Sequence, residues 1–319
     1  MLVSPFIDAA LAGVFGLLVG SFLNVLIYRL PIMMYRDWLT ESIDNLRPVE
    51  GLPSLWSLVF GAGAGTPGDL QTAAIAASAQ VESLQPISLA RPRSRCPHCG
   101  AEIRWYQNVP VLSWLALRGK CASCAARISV RYPLVEIVTA AFFSFCTWRF
   151  GASLQAAFWM AFCAILICQF LIDLDTQLLP DTLTYPLLWL GLIAAALKVT
   201  TVPLSSAVWG AVWGYMSLWL VFQAYKLVTK REGMGHGDFK LLAALGAWLG
   251  APLLLPVILL SSVVGAVLGV IFIIAGRIAN RHVPISFGPF LAAAGLVVLV
   301  VGPAGLHEHL PFLFAFERI

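Results

Sequence analysis

Long uncharged apolar runs recur along the chain, separated by short polar connections. A run of 18 or more such residues is long enough to cross the hydrocarbon core of a bilayer as a helix. Runs of about that length lie at residues 9–30, 133–150, 154–172, 183–199, 204–228, 239–255, 256–276 and 287–302. The pattern predicts an all-α polytopic membrane protein with about eight transmembrane helices. The sixth run is short because Pro252 and Pro256 interrupt it. The first ten residues contain no Lys or Arg, so the opening run lacks the basic flank of a cleavable signal peptide and reads as a retained helix.

Composition agrees with this pattern. Of 319 residues, 60% are apolar and 11% charged, against roughly 25% charged in ordinary soluble domains. A plain soluble globular protein, a disordered chain and a fibrous one are thereby excluded. The net charge of +4 is too small an excess to argue for nucleic acid as a partner. No feature of the sequence points to an oligomeric state.

The location of the charges says more than their number. Eleven of the 20 basic residues lie between Arg29 and Arg131. By the positive-inside rule that stretch is cytosolic, which puts the N-terminus outside. The connections near 173–182, 230–240 and 277–284 then also fall inside, while Arg149 and Lys198 snorkel at the outer face. Three parts follow: a first transmembrane helix (1–30), a cytosolic insert (31–132) and a transmembrane helical bundle (133–319). Within the insert, the small, polar, Gly-rich residues 61–80 read as a flexible excursion with a short Ala helix. No internal repeat stands out. Gly16/Gly20, Gly210/Gly214 and Gly265/Gly269 have the spacing of close helix packing.

The cysteines fall into two groups. Cys146, Cys163 and Cys168 lie in membrane runs and read as small packing residues. Cys96-Pro-His-Cys99 and Cys121-Ala-Ser-Cys124 are two C-x-x-C knuckles with 21 residues between them. Such a pair closes a tetrahedral Zn²⁺ site of the zinc-ribbon type, structural because four thiolates leave no open coordination position. A cytosolic setting disfavours two disulfides instead. His98 lies inside the first knuckle and reads as a loop residue.

Apart from Glu136 and Glu232, the bundle's acids before the C-terminal tail are Asp173, Asp175, Asp181 and Asp238. A carboxylate in a membrane segment is costly, so each is a functional candidate. The first three lie in LIDLDTQLLPD (171–181) and the fourth in GMGHGDFK (233–240). Threading brings both clusters to the cytosolic face at one depth. Two carboxylates there, one protonated and one ionised, have the chemistry of an aspartic protease. Gly235 and Gly237 would let a substrate strand approach Asp238. The alternative is that these acids cap helices, Asp181 that of the fourth run and Asp238 that of the sixth.

The segments GSFLNVLIYRLP (20–31), RSRCPHCG (93–100), NVPVLSWLALRGKC (108–121), RYPLVE (131–136), DLDTQLLPD (173–181) and GMGHGDFKLLAALGAWLG (233–250), in this order over nearly the whole chain, resemble those of the bacterial type IV prepilin peptidases. The resemblance implies a bifunctional inner-membrane enzyme. It would cleave the basic leader of prepilins or pseudopilins at the cytosolic face and methylate the new N-terminal residue with S-adenosyl-L-methionine. The family's catalytic aspartates fall on Asp173, separated from Pro180 by six residues, and Asp238 of G-x-G-D, with Asp175 as the fallback; Gly235, Gly237 and Lys240 complete the second motif. No glycine-rich strand-turn-helix fingerprint of a soluble methyltransferase is present, so the methyl donor has no assigned residues. Residues 61–80 lie outside the family signature. A second class of function, an ion- or proton-coupled transporter, would use the same aspartates as relays. A peptidase without methyl transfer is the nearer alternative.

Overall fold

A computed structural model describes residues 4–47, 54–61, 64–231, 233–275 and 286–309. Eleven α-helices are present among these residues: α1 (Pro5–Asp44), α2 (Leu55–Phe60), α3 (Gly68–Ser83), α4 (Leu112–Ala116), α5 (Arg131–Phe150), α6 (Leu154–Thr176), α7 (Asp181–Ala196), α8 (Leu204–Thr229), α9 (His236–Leu249), α10 (Leu254–Ile274) and α11 (Gly288–His309). No strand occurs among them, only two isolated β-bridges. The chain divides into two compact units, Val25–Arg104 and the remainder, Met1–Asn24 with Trp105–Ile319.

Each of the eight predicted apolar runs is helical, but eight spans are not borne out. Five helices, α1, α6, α8, α10 and α11, are long and apolar enough to cross a membrane. The 16 residues of α7 and 14 of α9 reach about 24 and 21 Å, short of a hydrocarbon core of about 30 Å. α5 has 20 residues but carries Arg131, Glu136 and Arg149. The boundary between the sixth and seventh runs is set by Gly250, at φ 82°, followed by a 3₁₀ turn over Ala251–Leu253.

The larger unit is organised around α9. From Leu241 to Leu249 all nine residues are buried, as befits a helix that is apolar all round and packed on every side. α8 approaches it most closely. A Cβ placed on Gly246 would collide with the Gly210 carbonyl oxygen, and one on Gly214 would lie 2.9 Å from the Ala243 Cα. Trp248 donates its indole N–H to the Leu187 carbonyl oxygen (2.7 Å) and meets the rings of Trp159 and Phe162 at 5.1 and 5.0 Å. The pair in α1 acts in the same way, whereas Gly265 of α10 meets the Phe290 ring rather than backbone. Gly16 and Gly20 of α1 lie against the backbone of α5, where a Cβ would come within 2.7 Å of the Ala140 and Glu136 Cα atoms. Cys146, Cys163 and Cys168 are fully buried in the apolar interior. Arg149 donates to the Val300 carbonyl oxygen (2.9 Å) and lies 5.8 Å from the Phe145 and Phe150 ring centroids.

In the smaller unit, α1 does not end near residue 30. It runs through Pro31 to Asp44, so the insert begins as a continuation of the first helix. Two arginines tie this extension to the returning chain. Arg29 donates to the carbonyl oxygens of Ser88 (2.8 Å) and Pro92 (2.7 Å), and Arg36 to those of Gln85 (2.6 Å) and Leu84 (3.0 Å). The Ala-rich part of 61–80 forms α3, which buries Ala74 and Ser78; residues 62 and 63 lie outside the described residues.

Candidate active site and metal centre

Asp173 sits in the last turn of α6. That helix ends in a left-handed Gln177 (φ 57°), whose N–H closes on the Asp173 carbonyl oxygen at 2.9 Å. A short loop, Leu178-Leu179-Pro180, leads into α7. Asp238 is the third residue of α9, whose N-cap is Gly235. The two carboxyl groups line one cavity of about 370 Å³, together with Gly235, Gly237, Leu179 and Phe287. Both aspartates are buried, at 3% and 7% exposure. Ser286 and Gly288 at the start of α11 lie close to the Asp173 carboxyl, whose Oδ2 makes no hydrogen bond among the described residues. Gly237 lies against Leu179, where a Cβ would fall 2.8 Å from the Leu179 Cβ.

The remaining acids have other partners. Asp175 is two residues from Asp173 and therefore points to another side of the helix. There it forms a bidentate pair with Arg131 at 2.8 and 2.6 Å. Asp181 does not cap α7, because the N-cap is Pro180 and no side-chain cap is made. Both its oxygens instead accept from Lys240 Nζ at 2.8 Å, which also lies 5.2 Å from the Tyr185 ring centroid. The Asp181–Lys240 pair thus joins the start of α7 to α9. Asp238 makes no capping bond either, because no side chain caps α9.

The sequence reading missed three residues here. Ser286 and Gly288 approach Asp173 from the start of α11, which was read only as a membrane run. The signal was the small Ser-Phe-Gly-Pro sequence ahead of that run, since Pro favours the first turn of a helix. Glu136, set aside among the acids, is buried and accepts the Val111 N–H at 2.7 Å. Val111 has φ 59°, a strained conformation for a β-branched residue.

The four knuckle cysteines form the second site. Cys96, Cys99, Cys121 and Cys124 make a four-cysteine group, and no histidine among the described residues belongs to it. Four thiolates are the donor set of a closed tetrahedral Zn²⁺ site, so the chemistry of these residues fits Zn²⁺. Each knuckle has the same build. The Gly100 N–H bonds the Cys96 carbonyl oxygen (2.9 Å) and the Ala125 N–H that of Cys121 (3.0 Å). Gly100 and Ala125 both take positive φ, 71° and 57°. The bridges Arg95–Glu102 and Lys120–Arg127 flank them equivalently. This is a short repeat, overlooked in the sequence because its two copies share few residues beyond C-x-x-C.

The fold and the first site define a multi-pass α-helical membrane protein with two buried carboxyl groups on one cavity at helix ends. Residues 14–150 match the Bacterial Peptidase A24 N-terminal domain and residues 160–270 the Type IV leader peptidase family. A Prepilin leader peptidase/N-methyltransferase of Stutzerimonas stutzeri is 46% identical over 310 residues, covering 97% of this chain and 96% of that protein. Proteins of the same name from Pseudomonas aeruginosa (46% over 299 residues, 93% and 91%) and Neisseria gonorrhoeae (44% over 295 residues, 92% and 91%) are similarly related. No solved structure matches. The chain belongs to the type IV leader peptidase family, and it is a membrane peptidase. The transporter reading finds no support in these relationships.

Proposed function

We propose that this chain cleaves the leader from type IV prepilins or pseudopilins with Asp173 and Asp238 as its catalytic pair, and then N-methylates the exposed N-terminal residue. The observation that carries this reading is the single cavity that both buried carboxyl groups line, while Asp175 and Asp181 are engaged by Arg131 and Lys240. Like charges on one cavity favour a state in which the pair holds one proton. The ionised carboxylate takes a proton from a water, which attacks the scissile carbonyl carbon. The protonated partner then gives its proton to the departing amine as the C–N bond breaks. The cavity walls suit the substrate, since Leu179 and Phe287 offer apolar surface to the membrane segment that follows a prepilin leader, and Gly235 leaves space for backbone.

S-adenosyl-L-methionine supplies the methyl group, as the relatives' names support. Cys96, Cys99, Cys121 and Cys124 would hold a structural Zn²⁺ that locks the two knuckles together. The clustering of basic residues between Arg29 and Arg131 supports a cytosolic insert, a periplasmic N-terminus and residence in the bacterial inner membrane.

The test uses purified enzyme, a synthetic prepilin and labelled S-adenosylmethionine. Asp173→Asn and Asp238→Asn are each expected to abolish leader cleavage while the protein stays in the membrane and still labels a pre-cleaved pilin. Retained cleavage in either variant removes that residue from the pair.

A further inference from the structure

A second cavity, of about 260 Å³, lies at the other end of α6, bounded by the start of α1, the last turns of α5 and the first turn of α6. Its chemistry is set by Asp8. That residue is 8% exposed, and its carboxylate has no hydrogen bond or ion pair among the described residues. A buried, unpaired carboxylate is expensive unless a cation joins it. As a first-turn residue of α1 Asp8 gains from the helix dipole, but the dipole leaves both carboxylate oxygens without a donor. Beside it are the Thr147 hydroxyl, 5% exposed, and the Ser153 hydroxyl. Ser153 is already committed, donating to the Phe150 carbonyl oxygen (2.9 Å) and accepting from the Ala156 N–H (3.2 Å). The other walls are apolar: Leu11, Ala12, Ala157 and Met160.

We infer that this cavity binds the primary ammonium of an aminophospholipid headgroup, with Asp8 as its counter-ion and Thr147 as a second acceptor. A metal ion fits poorly, because Ca²⁺ and Mg²⁺ need six or more oxygens and the cavity offers a carboxylate and one uncommitted hydroxyl. An ammonium has three N–H donors, needs fewer partners, and brings an apolar stem to lie on Leu11 and Met160. The lipid source follows from the walls, which continue the apolar surface of membrane helices α1 and α6. Ala156 and Asp173 are 17 residues apart on α6, about 26 Å along the axis. The inference therefore stands apart from the peptidase chemistry.

The experiment places the full-length protein in nanodiscs of phosphatidylglycerol alone, or mixed equally with phosphatidylethanolamine or with phosphatidylcholine, whose ammonium has no N–H. Thermal melting and lipid retention by native mass spectrometry are measured. The wild type is expected to melt about 2–4 °C higher with the ethanolamine lipid than with the choline lipid. Asp8→Asn should erase that difference and weaken retention by about tenfold, with leader cleavage retained as the check of folding. Ala157→Leu fills the cavity without touching Asp8 and should erase it too, which keeps the test decisive if Asp8→Asn misfolds. Free ethanolamine added to phosphatidylglycerol discs should give no shift; one as large as the lipid's would overturn the assignment to a lipid. Equal melting of the wild type in both mixtures would refute the site. So would an Asp8→Asn variant that keeps the wild-type difference between the lipids, or that loses the same stability in every lipid.

Discussion

Gly288 is the position where one methyl group probes the peptidase site without replacing either carboxyl group. It is the first residue of α11 and its φ is not in the left-handed region, so alanine is compatible with the backbone. The added Cβ would overlap Asp173 Oδ2 and stand 3.0 Å from Leu179 Cδ1 and 3.1 Å from Asp173 Cγ. Asp173 must then swing away by roughly 1 Å, a displacement that costs on the order of a hundredfold in rate when a catalytic group is misplaced. The stability cost is that of mild overpacking, about 1–3 kcal/mol. Gly288→Ala is therefore expected to melt somewhat below the wild type and to lose about a hundredfold in kcat for leader cleavage, with little change in KM and with methylation of pre-cleaved pilin retained. Gly68→Ala, where a Cβ would meet nothing within 4 Å, serves as the matched control. A folded Gly288→Ala enzyme that cleaves within threefold of the wild type would refute the role given to the Asp173 carboxyl in this cavity.

Other outcomes follow from the same geometry. Asp175→Asn breaks a pair whose side chains are 38% and 40% exposed, worth less than about 1 kcal/mol; cleavage should stay within about threefold, and its complete loss with Asp173 dispensable would move the pair by two positions. Metal analysis of purified protein should give about one Zn per chain, falling on Cys96→Ser; active, metal-free wild type would dismiss the zinc centre. Gly246→Ala forces α9 away from the Gly210 carbonyl of α8, so the melting temperature and both activities should drop together, at about 1–3 kcal/mol of stability. Unchanged melting there would mean that the helix pair is looser than its backbone spacing states.

Much of the plan was legible because membrane segments obey a strict rule: backbone polar groups must be satisfied within the segment, so long apolar runs become helices. The eight helical segments, the close-packing glycines of α1 and α8 and the four-cysteine set all follow from one-dimensional patterns. Span length was less legible. α7 and α9 end where Pro180, Gly235 and Gly250 permit, and a run of apolar residues reads alike whether it meets lipid or, like Leu241–Leu249, other helices. The extension of α1 to Asp44 was hidden as well, because Arg29 and Arg36 find their carbonyl partners about 50 to 60 residues along the chain.

For the site, scarcity of charge in the bundle was enough to name four aspartates, since a carboxylate in an apolar setting needs a reason to be there. Sorting them needed the fold. Asp173 and Asp175 are two residues apart in the last turns of one helix, and only the turn of that helix sends one to the cavity and the other to Arg131. Asp181 and Asp238 differ in the same way, one held by Lys240 and the other facing the cavity. The sequence by itself thus determined which elements form and which residue types are available for chemistry, because periodicity and burial cost are local. Which carboxyl meets which partner was decided by contacts 44 and 59 residues apart along the chain, and the approach of Ser286 and Gly288 to Asp173 by one more than 100 residues apart, which only tertiary packing creates.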